Sequence, residues 1–185
     1  MTDVSGLAGC ATLHTLDLAD THMTDVLRLT GFTALHTLDL SRRNSRGGGF
    51  DSAFALAGCT TLHTLDLSFC EGVTDVSALA GCAALHTLWL SHTGVSDVSA
   101  LASFAALRTL YLSRNQVTNI SALAGCAMLR ITLDLKWHAL TDVSELAGCT
   151  TLHTLNLSSC FYLTDVSGLA GCETLHTLDL SCSAV

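Results

Sequence analysis

The chain of 185 residues has no proline, only 5% aromatic residues and only 13% charged residues, against 49% hydrophobic ones. Disordered chains are poor in apolar residues and rich in charge, so this balance excludes disorder. Long apolar runs are also missing. Despite a mean hydropathy of +0.48, Asp, Thr, Ser or His interrupts the apolar residues every few positions, and no stretch approaches the ~18 needed to span a bilayer. Met1-Thr2-Asp3 offers no basic start or apolar run, so no signal peptide is read there. Basic residues are scarce: 8 Lys and Arg stand against 16 Asp and Glu, a formal net charge of -8. General nucleic-acid binding needs basic clusters that displace counterions, and is excluded. An even cysteine count is missing too; nine cysteines cannot form a complete set of internal disulfides.

What the chain does have is self-similarity. Leu-His-Thr-Leu-Asp-Leu recurs at Leu13, Leu35 and Leu62, and related forms begin at Leu85, Leu107, Leu129, Leu152 and Leu175. The starting leucines are 22, 27, 23, 22, 22, 23 and 23 residues apart, which makes eight units. A second segment links them, such as Val73-Thr-Asp-Val-Ser-Ala-Leu-Ala-Gly-Cys82, and returns at 117–126, 140–149 and 163–172. On a short strand, Leu16 and Leu18 face one way while Thr15 and Asp17 face the other. One unit cannot bury its leucines; stacked units, with rungs ~4.8 Å apart, make one continuous core. Ser5, Ser77, Ser99, Ser121, Ser144 and Ser167 share one position before an x-Leu-Ala run. That serine, or the Asp two residues earlier, is expected to cap a single 3-10 turn.

The L-x-x-L-x-L unit and its period resemble a leucine-rich repeat. The connector V-T-D-V-S-x-L-A resembles the short SDS22-like and internalin-like classes. The cysteines of L-A-G-C, with Cys70 and Cys160, resemble cysteine-containing repeats, and the near-identity of the units resembles arrays of protozoan type. The expected fold is α/β, mostly β with short 3-10 turns: a right-handed leucine-rich-repeat solenoid of about eight repeats of 22–23 residues, with its parallel sheet on the concave face. Residues 1–185 are read as one domain. The long spacing holds an insertion loop at about 42–50, with three arginines and three glycines, which is expected to project.

The repeats act as internal controls for chemistry. The position of Cys10, Cys59, Cys82, Cys126, Cys149 and Cys172 is Phe32 or Phe104 in the other units, so a buried apolar site is expected there. The position of His14, His36, His63, His86, His153 and His176 is Arg108 or Arg130 elsewhere, so it is expected to be solvated. No metal site, cofactor or catalytic residue is assigned, because nucleophile, base and orienter should depart from the repeat, and here Asp, His and Cys are copied with it. Stacked histidines are expected to lower one another's pKa. Cys70 and Cys160 fill the position of Asn115, a backbone-bonding role in the resembled repeats; Cys160 and Cys182 could lie close enough for a disulfide, which spacing cannot decide.

The positions that vary carry the functional reading. Between the strand leucines stand Asp17, Asp39, Asp66, Trp89, Tyr111, Asp134, Asn156 and Asp179. Two residues after the second leucine stand Asp20, Arg42, Phe69, His92, Arg114, Trp137, Ser159 and Cys182. Both rows are expected on the concave face, where Phe69, Trp89, His92, Tyr111, Arg114 and Trp137 would form a patch flanked by Asp66 and Asp134. Exposed Trp, Tyr and Arg together have the composition of a binding hot spot. The expected function is a non-enzymatic protein–protein interaction module whose partner presents a basic segment with apolar anchors. The alternatives are a cell-surface adhesion array, or the recognition part of a ubiquitin-ligase or phosphatase-regulator assembly. Unpaired thiols favour a reducing cytoplasmic or nuclear compartment, with a secreted or surface location as the alternative. No cap sequence is seen at either end, so the chain is expected either to be a fragment of a longer array or to self-associate through its ends.

Overall fold

A computed structural model of the chain describes residues 4–7, 9–21, 29, 31–42, 53–125, 132–136 and 139–185. Each leucine segment yields a strand of three residues: β1 Thr15–Asp17, β2 Thr37–Asp39, β3 Thr64–Asp66, β4 Thr87–Trp89, β5 Thr109–Tyr111, β6 Thr132–Asp134, β7 Thr154–Asn156 and β8 Thr177–Asp179. They pair in chain order into one eight-stranded parallel sheet. The register is that of the repeat: Leu88 lies beside Leu110 and Trp89 beside Tyr111. The ladder outlasts the strands, since Leu67 N–H donates to Trp89 O at 2.9 Å and Phe69 N–H to Ser91 O at 2.8 Å.

Alternation decides the packing. The central leucines Leu38, Leu65, Leu88, Leu110, Leu133 and Leu155 are all 0% exposed, while most of their strand neighbours remain half-buried. Burying each contributes roughly 1.5–3 kcal/mol, which is how a chain so poor in aromatics builds a core. Leu178 in β8 has a strand on one side only and is 41% exposed.

The chain returns through 3-10 turns such as Ser77–Gly81, Ser99–Ser103, Ser144–Gly148 and Ser167–Gly171. Of the two expected caps, the residue two before the serine is the one that accepts the amide. Asp75 Oδ1 accepts from Ser77 N–H at 2.7 Å, and Asp97, Asn119, Asp142 and Asp165 do the same for Ser99, Ser121, Ser144 and Ser167.

The shared Cys/Phe position is buried at Phe32, Cys59, Cys82, Phe104, Cys149 and Cys172. Three of these thiols also donate to the preceding unit: Cys82 Sγ to Leu56 O at 3.3 Å, Cys149 Sγ to Leu123 O at 3.6 Å and Cys172 Sγ to Leu146 O at 3.3 Å. Cys10 departs from the expectation and is exposed, since no described unit covers it; Cys126 lies outside the described residues. Cys70 and Cys160 donate to Leu40 O and Leu135 O, each at 3.3 Å, and Asn115 Nδ2 donates to Leu90 O at 2.8 Å. In these three units the position stitches to the unit before it, whereas Thr21, Thr93 and Ser183 at the same place donate within their own unit, to Leu18 O, Leu90 O and Leu180 O. Cys160 is buried and Cys182 exposed, and both are free thiols. The expected projecting loop falls almost wholly outside the described residues. Its first arginine, Arg42, corrects the expectation: it is 8% exposed rather than displayed.

Candidate binding face

The sheet's outer side is built from two rows, and the first has a structural duty that sequence reasoning missed. In six units the last strand residue is Asp or Asn, and its Oδ1 accepts the backbone N–H two residues on. Asp17 accepts from Ala19 at 2.9 Å, Asp39 from Ser41 at 2.8 Å and Asp66 from Ser68 at 2.7 Å. Asp134 accepts from Lys136 at 3.0 Å, Asn156 from Ser158 at 2.9 Å and Asp179 from Ser181 at 2.9 Å. The bond turns the chain as it leaves the strand. The aspartates expected to surround the aromatic patch as free charges are thus also turn-formers. Trp89 and Tyr111 hold the same position in β4 and β5 and have no short side-chain oxygen to accept that N–H. Their rings stack instead, with centroids 5.8 Å apart and planes 3° from parallel.

The second row has an unusual backbone. Asp20, Phe69, His92, Arg114, Ser159 and Cys182 all have φ between 55° and 64°, the left-handed region that L side chains resist. No glycine stands at this position to relieve it. In five of the six the N–H is held by the next unit, as His92 N–H is by Ser113 O at 2.9 Å; Cys182 takes the same conformation without such a bond. Nothing in the identities Asp, Phe, His, Arg, Ser and Cys signals this; it belongs to the position in the repeat. The side chains that result form a second stack, Phe69 on His92, with centroids 4.3 Å apart and planes 17° apart. His92 and Trp89 belong to one unit, so the two stacked pairs meet there.

Of the expected site residues, Phe69, Trp89, His92 and Tyr111 are half-buried and Arg114 is exposed. Asp66 and Asp134 are half-buried and hydrogen-bonded as described; Trp137 lies outside the described residues. Desolvation against Phe69 and the positive charge of Arg114 push the His92 pKa down, and Glu71 opposes them weakly.

The histidine row lies at the strand starts; His14, His153 and His176 are exposed as expected, and His36, His63 and His86 are half-buried. His14, His36 and His63 stack with centroids 5.2 and 4.8 Å apart, and His86 follows at 5.0 Å with its plane tilted by 49°. His36 and His63 hold their Nδ1 at 2.6 Å from the carbonyls of Ala34 and Thr61. A carbonyl only accepts, so Nδ1 carries the proton and Nε2 looks outward. Rings stacked in this way present parallel lone pairs that do not converge. Among the described residues no group of three or more His, Cys, Asp or Glu is placed to hold a metal ion. The His86 pKa is lowered, first by desolvation and then by Arg108 and His63, so repulsion within the stack contributes but does not lead.

The family model described as Leucine Rich repeats (2 copies) matches residues 83–125. Another, Leucine Rich repeat, matches residues 9–26, 58–80 and 148–170. An internalin C2 from Listeria monocytogenes is 30% identical, with a TM-score of 0.86, the match covering 98% of this chain and 76% of that one. An internalin, inlF, from the same organism is 24% identical, with a TM-score of 0.84, over 99% of this chain; this chain spans 52% of its length. A plant peptide hormone receptor, RGFR1, solved in complex with RGF2, shares the fold at 16% identity and a TM-score of 0.67, over 98% of this chain and 34% of its own. No curated protein matches the chain in sequence. Among the described residues no helix is long and apolar enough to cross a membrane.

Proposed function

The chain belongs to the leucine-rich-repeat proteins, and from that premise we propose that it is a non-enzymatic binding module whose protein partner seats on the outer side of the sheet. The contact centre is the pair of stacks formed by Phe69 with His92 and Trp89 with Tyr111, with Arg114 beside them; Trp137 is assigned to it only by its place in the repeat. One observation carries this reading. Six units keep an Asx residue that accepts the turn amide, while β4 and β5 give it up for two aromatics that lie half-exposed. Forgoing such a hydrogen bond costs about 0.5–1.5 kcal/mol, and stability alone offers no reason to forgo it at two adjacent positions. Large aromatics held rigid and open to solvent are the usual centre of a binding hot spot.

The partner is an extended segment with apolar anchors and basic flanks, matched to the carboxylates of Asp66 and Asp134 on either side. The solved receptor RGFR1 carrying RGF2 supports a peptide-sized partner by analogy of fold alone. The second reading, a surface adhesion array, draws support from the likeness to internalins. It draws none from cysteine chemistry, because all eight described cysteines are free.

The test selects binders to the chain from a phage-displayed random peptide library, then challenges them with Trp89→Asp/Tyr111→Asp. That variant restores the pattern of the other units, so it keeps or gains stability in thermal unfolding. The selected peptides should lose affinity at least about 100-fold, the effect of a hot-spot loss near 3 kcal/mol. Peptides that bind the variant as well as the wild type would remove the sheet face as the site.

A further inference from the structure

Two strips run along the solenoid that the proposed binding face does not use. One is the imidazole strip at the strand starts: His14, His36 and His63 stacked, His86 beside them with its ring tilted, Arg108 on the next rung, and further on His153 and His176, 5.2 Å apart with planes 4° apart. The other is the row of carboxylates that cap the 3-10 turns. Asp75, Asp97 and Asp165 are exposed and Asp142 half-buried, with the neutral Asn119 in the same place on the rung between. Each cap uses Oδ1. Both strips advance by one residue per unit. Within each unit the strand separates them on one side and the 3-10 turn on the other.

We infer that the imidazole strip of one copy seats against the aspartate strip of a second copy once the imidazoles are protonated, so that the chain associates laterally. Charge complementarity names the occupant. A protonated imidazole ladder needs acceptors that repeat at its own rung spacing, and a second rung-stacked chain presents them by construction. The interface is heterologous, with different surfaces meeting, so it propagates into an open array rather than closing at two copies.

The charges around both strips define the condition. The imidazoles face one another, and His86 also faces Arg108; burial first, and then Arg108 and His63, hold its pKa below the usual imidazole range. The capping carboxylates lie below their usual range because Ser77, Ser99, Ser144 and Ser167 donate to them, against the weaker opposition of Asp75 on Asp97 and of Asp142 on Asp165. The carboxylates therefore stay ionised at the mildly acid pH at which imidazole side chains in general take up a proton. Each histidine that takes up a proton also reduces the formal charge of -8 that keeps copies apart at neutral pH.

Isoelectric association without a defined surface predicts the same pH dependence, so the experiment separates the two by position. Sedimentation equilibrium of the intact chain is measured at about pH 7.5 and about pH 5.5, on either side of the imidazole pKa. The weight-average mass should be that of a monomer at the higher pH and rise about twofold or more at the lower, falling back in ~0.5 M salt. Asp75→Asn/Asp97→Asn/Asp142→Asn/Asp165→Asn should stay monomeric at both; Asn119 shows that asparagine keeps the cap. His36→Gln/His63→Gln/His86→Gln should also lose most of the rise. The control, Asp17→Asn/Asp39→Asn/Asp134→Asn/Asp179→Asn, removes the same charge from the sheet face, where Asn156 shows that asparagine serves. It should associate as the wild type does. A wild type that stays monomeric at the lower pH, or two aspartate variants that lose association equally, would overturn the inference.

Discussion

Asp66 shows how much one side chain at a strand end decides. Its Oδ1 takes the Ser68 N–H at 2.7 Å, and the turn that follows sets the direction of Phe69. Asp66→Ala should cost about 0.5–1.5 kcal/mol in urea unfolding, and Asp66→Asn almost nothing, because the amide oxygen accepts equally well. Equal losses for the two would mean that charge, not the hydrogen bond, is what counts there. Inside, Leu110 is 0% exposed between Leu88 and Leu133. Leu110→Ala should cost about 2–5 kcal/mol, as a buried cavity does. A loss below about 1 kcal/mol would contradict the stacking.

At the scale of the element, the turns matter more than the strands for spacing. A Cβ on Gly81 would lie 2.3 Å from Ala57 O, and one on Gly171 2.5 Å from Ala147 O. The equivalent residue of the turn Ser99–Ser103 is Ser103, so that turn stands further from its neighbour. Gly81→Ser should therefore lower stability by about 1–3 kcal/mol, the usual cost of overpacking, while Ser103→Gly is tolerated. Thermal unfolding of the two variants side by side checks this. Repeat spelling alone cannot separate the two turns, because L-A-G and L-A-S are equally good 3-10 sequences; the difference lies in how closely successive turns approach.

At the scale of the whole molecule, stability is shared along a one-dimensional stack. Leu178 is 41% exposed while Leu88 and Leu110 are sealed, so amide protons of β8 should exchange faster than those of β4 and β5. Faster exchange at the centre would oppose a stack that frays from this side. Thiol chemistry reads the same gradient. Cys10 and Cys182 are exposed, while the six other described cysteines are buried and burial raises the pKa of several, Cys70 to about 12. A maleimide should label Cys10 and Cys182 in the native chain and reach the six only on unfolding, as peptide mapping will resolve. Acid acts through the caps. The carboxylates of Asp75, Asp97, Asp142 and Asp165 have folded pKa values below the unfolded one. Their stabilisation is complete above the unfolded value of ~3.9 and is lost as pH falls through the lower folded values. The unfolding free energy should therefore decline below about pH 4, and less steeply when the four are replaced by asparagine.

The sequence by itself determined the eight strands, their parallel order, the inward leucines and the buried Cys/Phe site. A repeat of fixed period has only one way to hide every leucine, and the internal copies show which positions tolerate exchange. It also indicated the two outward rows, because only there do the units differ. Tertiary structure decided the rest. The path of the chain out of each strand sets the left-handed backbone at Phe69 and His92, against the preference of both side chains. The stacking of Trp89 on Tyr111, the second duty of Asp66 and Asp134, and the burial of Arg42 depend on distances between units. Such distances are fixed only when neighbouring rungs close on one another.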